Sequence, residues 1–263
     1  MSLPTQLDQA HARMEADPSS DAARLRFYER LSDCELFLML DKEVEGETIE
    51  PALFDTPDGR FVLVFDREER LAEFAGRAVP YAGLSGRGIV QMLAGQDIGI
   101  GVNLEVAPSA MLIPPQAVSW LQETLGHAPH EVEAEVESFL PPKGLPEAFL
   151  TALDAKLATA AGLAQAAYLV GVTYHGGGRG HLLGIIDAKE GAQSALAKAV
   201  SEALTFSGIE AGALDVGFFA GADTAAASLA RVGLRFELPQ PQEAQVYQPS
   251  MPGSDPDKPP RLK

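Results

Sequence analysis

The chain has 263 residues, 46% of them hydrophobic and 22% charged, with a formal net charge of −17. That is apolar mass enough for one large domain or two ordinary ones, and the acidity excludes non-specific attraction to DNA, RNA or an anionic membrane, which needs clustered Lys and Arg. A lone cysteine, Cys34, excludes an internal disulfide and a cysteine-built zinc site.

The N-terminus has neither a basic region nor an apolar run, so no secretory signal is expected. Residues 22–31 place Leu25, Tyr28 and Leu31 at helical spacing, and 34–40 reads as a buried strand with Cys34 as a small core hydrophobe. Ile49 to Phe54 and Phe61-Val-Leu-Val-Phe65 flank Thr56-Pro-Asp-Gly59, a turn in which proline presets φ, so a hairpin follows. Asp66 then predicts a helix start, with Glu69 completing a capping box and Leu71 and Phe74 facing inward.

A short helix over 86–94 follows, then strands at Ile98–Leu104 and Ala110–Ile113. Gly99 and Gly101 in the first of these imply close backbone approach. Pro114 and Pro115 open a helix through Val118, Leu121 and Leu125, with Gly126 as its C-cap.

Residues 128–144 are acidic and carry Pro141 and Pro142, with one strand-like piece at Val136–Leu140. They read as a linker between a first domain, 1–127, and a second, 145–238. The second repeats the style of the first. It is expected to hold a helix at 146–159, strands at 166–174 and 181–187, a helix at 191–206, and a strand at 213–219. An Asp223-capped helix at 223–232 and a strand at 234–238 complete it. The stretch from Ala158 to Tyr174, broken by Gly162 and Gln165, is not a membrane span. Residues 239–263 hold seven prolines and little apolar periodicity, the composition of a disordered tail. The fold class is therefore α/β (α+β), two small mixed-sheet domains with packed helices. A cytoplasmic, bacterial-type protein is expected.

Tyr174-His-Gly-Gly-Gly-Arg-Gly-His181 is the most chemically suggestive run. A phosphate loop must hand a strand into a helix, whose free amides hold the anion. Here strands lie on both sides, so the run reads as a hairpin connection and no nucleotide cofactor is expected. With the glycines as the turn, His175 and His181 would face each other at roughly 4.5–5.5 Å between Cβ atoms. A metal site needs a third ligand, and Asp187 is too far down the strand, so no metal is expected. Ser85-Gly-Arg-Gly88 could hold an anion through Arg87. The polar candidates for ligand binding are Arg87, Asn103, His175, Arg179 and His181, and no catalytic constellation emerges among them.

The run Asp58-Gly-Arg-Phe-Val-Leu-Val-Phe-Asp-Arg-Glu-Glu-Arg-Leu-Ala-Glu-Phe74, with Gly99-Ile-Gly-Val-Asn103 beyond it, resembles the N-terminal domain of the SseB family. Leu104 and Glu105 stand where that family has a Pro-Gly-like turn. The second half, with Ala166-Ala-Tyr-Leu-Val170, is similar to the companion SseB C-terminal domain. The resemblance implies a cytoplasmic α/β protein of non-catalytic role, in a family named for enhanced serine sensitivity. The leading expectation is a non-enzymatic binding or regulatory protein whose partner is a protein or a small molecule, with a homodimer compatible. The alternative is a ligand sensor or enzyme using a polar cleft between the domains. A secretion-apparatus role would need membrane-active or coiled-coil stretches, which the sequence does not offer.

Overall fold

The computed structural model describes residues 3–44, 49–57, 59–127, 136–175, 177–208 and 214–240. It holds two mixed sheets, each with helices on both faces. In the first sheet the strands β1 (Glu35–Met39), β3 (Gly59–Phe65), β4 (Tyr81–Ser85), β5 (Ile98–Val102) and β6 (Met111–Ile113) run in the order β4-β1-β3-β5-β6. β3 and β5 are parallel and the other neighbours antiparallel. β2 (Leu53–Thr56) pairs with the start of β3, and β1 with its end, so the two share one edge of that strand.

The apolar run of β3 is continuous because both of its faces are covered. Val62 and Val64 point into the larger core, with Leu36 and Leu38 of β1 and with helices α1 (Gln6–Ala16), α2 (Asp21–Asp33), α4 (Gly86–Met92) and α5 (Pro115–Gly126). Leu63 and Phe65 point the other way, onto Leu71 and Phe74 of α3 (Glu68–Ala75). The close approach expected at Gly99 is present. A Cβ there would lie 2.5 Å from the Phe61 ring and 2.6 Å from the Ile113 carbonyl oxygen.

The second sheet contains β7 (Val136–Leu140), β8 (Ala166–Tyr174), β9 (Arg179–Ile186), β10 (Leu214–Phe219) and β11 (Leu234–Glu237), in the order β10-β9-β8-β11. β7 takes the remaining half of the β8 edge, so this sheet begins inside the segment expected to be a linker. Helices α6 (Glu147–Ala158) and α7 (Gln193–Phe206) cover one face and α8 (Thr224–Val232) the other. Phe206, at the end of α7, is fully buried in the core of the first sheet, which fastens the two halves together.

Several local expectations are corrected. α1 was not anticipated, although its signal is legible: Thr5 and Asp8 form a reciprocal capping box. β4 was also missed, because a five-residue edge strand with Gly83 has little periodicity. Asp66 does not cap α3, whose N-cap is Arg67 with no side-chain bond. The Asp66 carboxylate is engaged by Arg70 and Thr5 instead. Gly126 is the last residue of α5 rather than its C-cap, which is His127. Asp223 is the N-cap of α8 but its carboxylate accepts from Ala220 N, not from the helix. Of the proposed tail, Pro239 and Gln240 are tied to the body by bonds to Gly162 N and the Ala164 carbonyl. Residues 241–263 lie outside the described residues, as does Asp58 of the first hairpin turn.

Candidate functional site

The parallel strands β3 and β5 end side by side, and the residues after them carry the densest polar network of the first domain. Asn103 follows β5 and is fully buried, with a left-handed φ of 46°. Its Oδ1 accepts from the backbone N–H of Asp66, just after β3, and its Nδ2 donates to Ser109 Oγ at 2.9 Å. Ser109 donates onward to Asp8 Oδ1 at 2.6 Å. Arg70 forks onto Asp8 at 3.0 and 2.6 Å and reaches Asp66 at 2.7 Å. The Thr5 hydroxyl donates to Asp66 at 2.5 Å. Thus α1, α3 and two strand ends are tied by one chain of bonds.

Burial alone would raise the Asp8 carboxyl. The bonds from Arg70, Ser109 and Thr5 outweigh it and hold Asp8 well below the usual carboxylate range. Burial likewise works against the Arg70 charge, and its two aspartates reverse the effect and raise it. Asp8 and Arg70 are thereby fixed in their charged forms at neutral pH, spent on one another.

Above this floor opens a groove of about 910 Å³. Pro4, Phe37, Val106 and Pro108 give it apolar surface, while Glu35, Glu68, Glu69 and Glu73 are exposed carboxylates along it. It lies at the carboxyl ends of parallel strands, the usual ligand position in sheets of this kind.

The second polar constellation fills the seam between the halves. Arg87 follows Gly86 at the start of α4, where a Cβ on Gly86 would lie 1.8 Å from the Leu31 carbonyl oxygen of α2. Only glycine lets α4 begin so close to α2. Arg87 then reaches Glu202 of α7 through two bonds of 3.1 Å and Asp33 of α2 at 2.9 Å. Lys156 of α6 meets Asp33 at 2.6 Å, Glu202 at 3.1 Å and Glu29 at 4.0 Å. The Glu202 bonds hold the Arg87 charge in place and raise it further. Burial would raise Glu202, yet its two cations pull it down. Glu29 is different: burial dominates and raises it, and its Oε1 has no hydrogen-bond partner.

Arg87 is therefore a clamp between the halves with its side chain 39% exposed, and Asn103 a buried brace. His175 and His181 are not opposite each other. The turn is tighter than the glycine run suggests, with Tyr174 N bonded to Gly178 O, so Arg179 pairs with Thr173 and His181 with Gly171. His181 Nε2 lies 2.9 Å from the Lys143 carbonyl, and His175 and Arg179 are exposed. Among the described residues no group of three His, Cys, Asp or Glu could hold a metal ion. None of the five candidates lines the groove. Burial pushes the Cys34 thiol up to about 12, which suits a core residue and not a nucleophile. The groove carboxylates and the seam were missed because each assembles from separate elements; Trp120, the only tryptophan, was a visible signal left unused.

No helix of the described residues is long and apolar enough to cross a membrane. No curated protein and no solved structure matches the chain. Residues 7–120 match the SseB protein N-terminal domain. That stretch runs from α1 into α5 and contains the whole first sheet, both strand ends and all of the polar network between them except Thr5. The chain thus carries an SseB N-terminal domain over residues 7–120.

Proposed function

We propose that the protein is a non-enzymatic, cytoplasmic binding or regulatory protein of the SseB type, whose acidic groove holds a cationic segment of a partner protein. The observation that carries this reading is the contrast between floor and rim. At the floor Asp8 and Asp66 are both ion-paired to Arg70, whereas Glu35, Glu68, Glu69 and Glu73 present their carboxylates to solvent beside apolar Phe37, Val106 and Pro108. Four carboxylates against the single rim cation Arg67 leave the rim net negative, and such a rim steers and orients a positively charged partner. The floor groups are committed to fixed ionic bonds, which leaves them poorly suited to proton transfer. A link to serine sensitivity rests on the family name alone.

The test is fluorescence anisotropy with a labelled Lys/Arg-rich peptide as probe. Binding is expected to weaken steeply with salt and to be lost in Glu35→Gln/Glu68→Gln/Glu73→Gln, while His175→Ala/His181→Ala binds as wild type. Absence of binding, or binding that ignores both salt and the triple substitution, would overturn the assignment.

A further inference from the structure

Asp21, Arg24, Leu25 and Tyr28 follow one another along α2 at helical spacing, running from exposed Asp21 to Tyr28, which is 8% exposed at the base, and Ala117 and Trp120 of α5 form the facing wall of a notch of about 460 Å³. Trp120 is 38% exposed, and its ring is held from two sides. Tyr28 meets it edge-on at 5.5 Å and Phe206 at 6.5 Å. A fixed, partly exposed Trp ring beside an aliphatic side chain is the kind of surface on which polyproline II segments dock, since such segments are already ordered before binding. At the rim the Asp21 side chain is 81% exposed and its partner Arg24 48% exposed. A surface pair of that kind is weak enough to exchange partners.

A segment of matching chemistry lies in the same chain. Pro256-Asp-Lys-Pro259-Pro-Arg261 puts two prolines three residues apart, one turn of polyproline II, with a guanidinium two residues further on. Lys258, Arg261 and Lys263 make Lys258–Lys263 the most basic six-residue window of an otherwise acidic chain. Gln240 is pinned to Ala164. From there to Pro256 the chain can span about 50 Å in polyproline II, against a radius of gyration of about 18 Å for a globule of this size. We propose that the notch of Leu25, Tyr28, Ala117 and Trp120 docks Pro256–Arg261 of the same chain, with its prolines against the exposed Trp120 ring and Arg261 on the Asp21 carboxylate.

Because Trp120 is the only tryptophan, its fluorescence reports the notch alone. In the intact 263-residue chain, Pro256→Ala/Pro259→Ala should shift the emission to the red and raise acrylamide quenching, with the far-ultraviolet circular dichroism unchanged. A synthetic peptide of residues 249–263 added to that variant should reverse both changes saturably. Arg261→Glu alone should mimic the proline variant, and Asp21→Lys/Arg261→Glu should restore the wild-type signal. The wild-type signal should not vary with protein concentration. Emission and quenching that are identical in the wild type and the proline variant would overturn the proposal. So would a concentration-dependent signal, which would place the segment on a second copy.

Discussion

Arg87 and Glu202, 115 residues apart in sequence, meet in a two-pronged ion pair with both bonds at 3.1 Å, and Lys156 and Asp33 close the ring around them. This ring joins α2 and α4 of the first half to α6 and α7 of the second. Lys156 and Glu202 are buried at 5% side-chain exposure, and buried charges are worth little as a net gain, but the loss of one member strands the others.

Lys156→Met tests the ring. The Lys156 side chain is 5% exposed and serves Glu29, Asp33 and Glu202 together. Its removal should cost about 3–5 kcal/mol, the range for breaking a buried pair from one side. Urea unfolding followed by circular dichroism measures it. A cost near that of a surface substitution would mean that the seam is wetter than the structure shows.

Glu29 should respond to pH in the opposite sense from most carboxylates. Burial raises its folded-state pKa above the ordinary value of 4.5, so its stabilising contribution is present below that pH and is lost as pH rises towards the folded value. Glu29→Gln removes this loss. The variant should match the wild type near pH 4 and exceed it at pH 7 by about 1 kcal/mol, the lower range for relieving one unpaired buried polar group. A thermal-unfolding series across pH decides it; a variant less stable than wild type at pH 7 would refute the argument.

Asp8 should behave conventionally. Its folded pKa is depressed below the ordinary 3.8, so its contribution is full above that value and disappears as pH falls further. Asp8→Asn leaves Arg70 and Ser109 facing an amide and should cost about 3–5 kcal/mol at pH 7. The gap between variant and wild type should narrow as acid is added, read from urea midpoints at pH 7 and pH 3.

Glu105 offers a stabilising change. Val106 N bonds to Asn103 O, and Glu105 sits at the third position of that turn with a φ of 64°. A positive φ there is the mark of a turn that favours glycine. This is the place where the family pattern has Pro-Gly and this chain has Leu104-Glu105. Glu105→Gly should therefore raise stability by about 0.5–1 kcal/mol, as relief of left-handed strain outweighs the added freedom of the unfolded chain. A lower melting temperature would show that the Glu105 side chain contributes more than its backbone costs.

Much of the fold was legible in the sequence because its determinants are local. The run from Phe61 to Phe65 and the stretch Ala166–Tyr174 are strands by composition alone, and Leu196, Val200 and Leu204 mark one face of α7 by spacing alone. The two mixed sheets with packed helices follow from that order of elements. Short or polar elements were less visible. α1 is marked only by the Thr5–Asp8 capping box, and β4 has too few residues for a period to show.

The partners of the charged side chains belong to the tertiary structure. Arg87 looked like an anion ligand from its neighbours Gly86 and Gly88, yet its partners come from α2 and α7. Asn103 looked like a free polar group at a strand end, yet packing of α1 and the turn after β5 buries it completely. The same holds for His175 and His181, whose separation was fixed by a hairpin register one tight turn away from the symmetrical one. Periodicity states which face a residue is on; which charge lies opposite depends on how helices distant in sequence come to rest against each other, and over a few ångströms that distance decides whether a charge binds a ligand or holds the fold together.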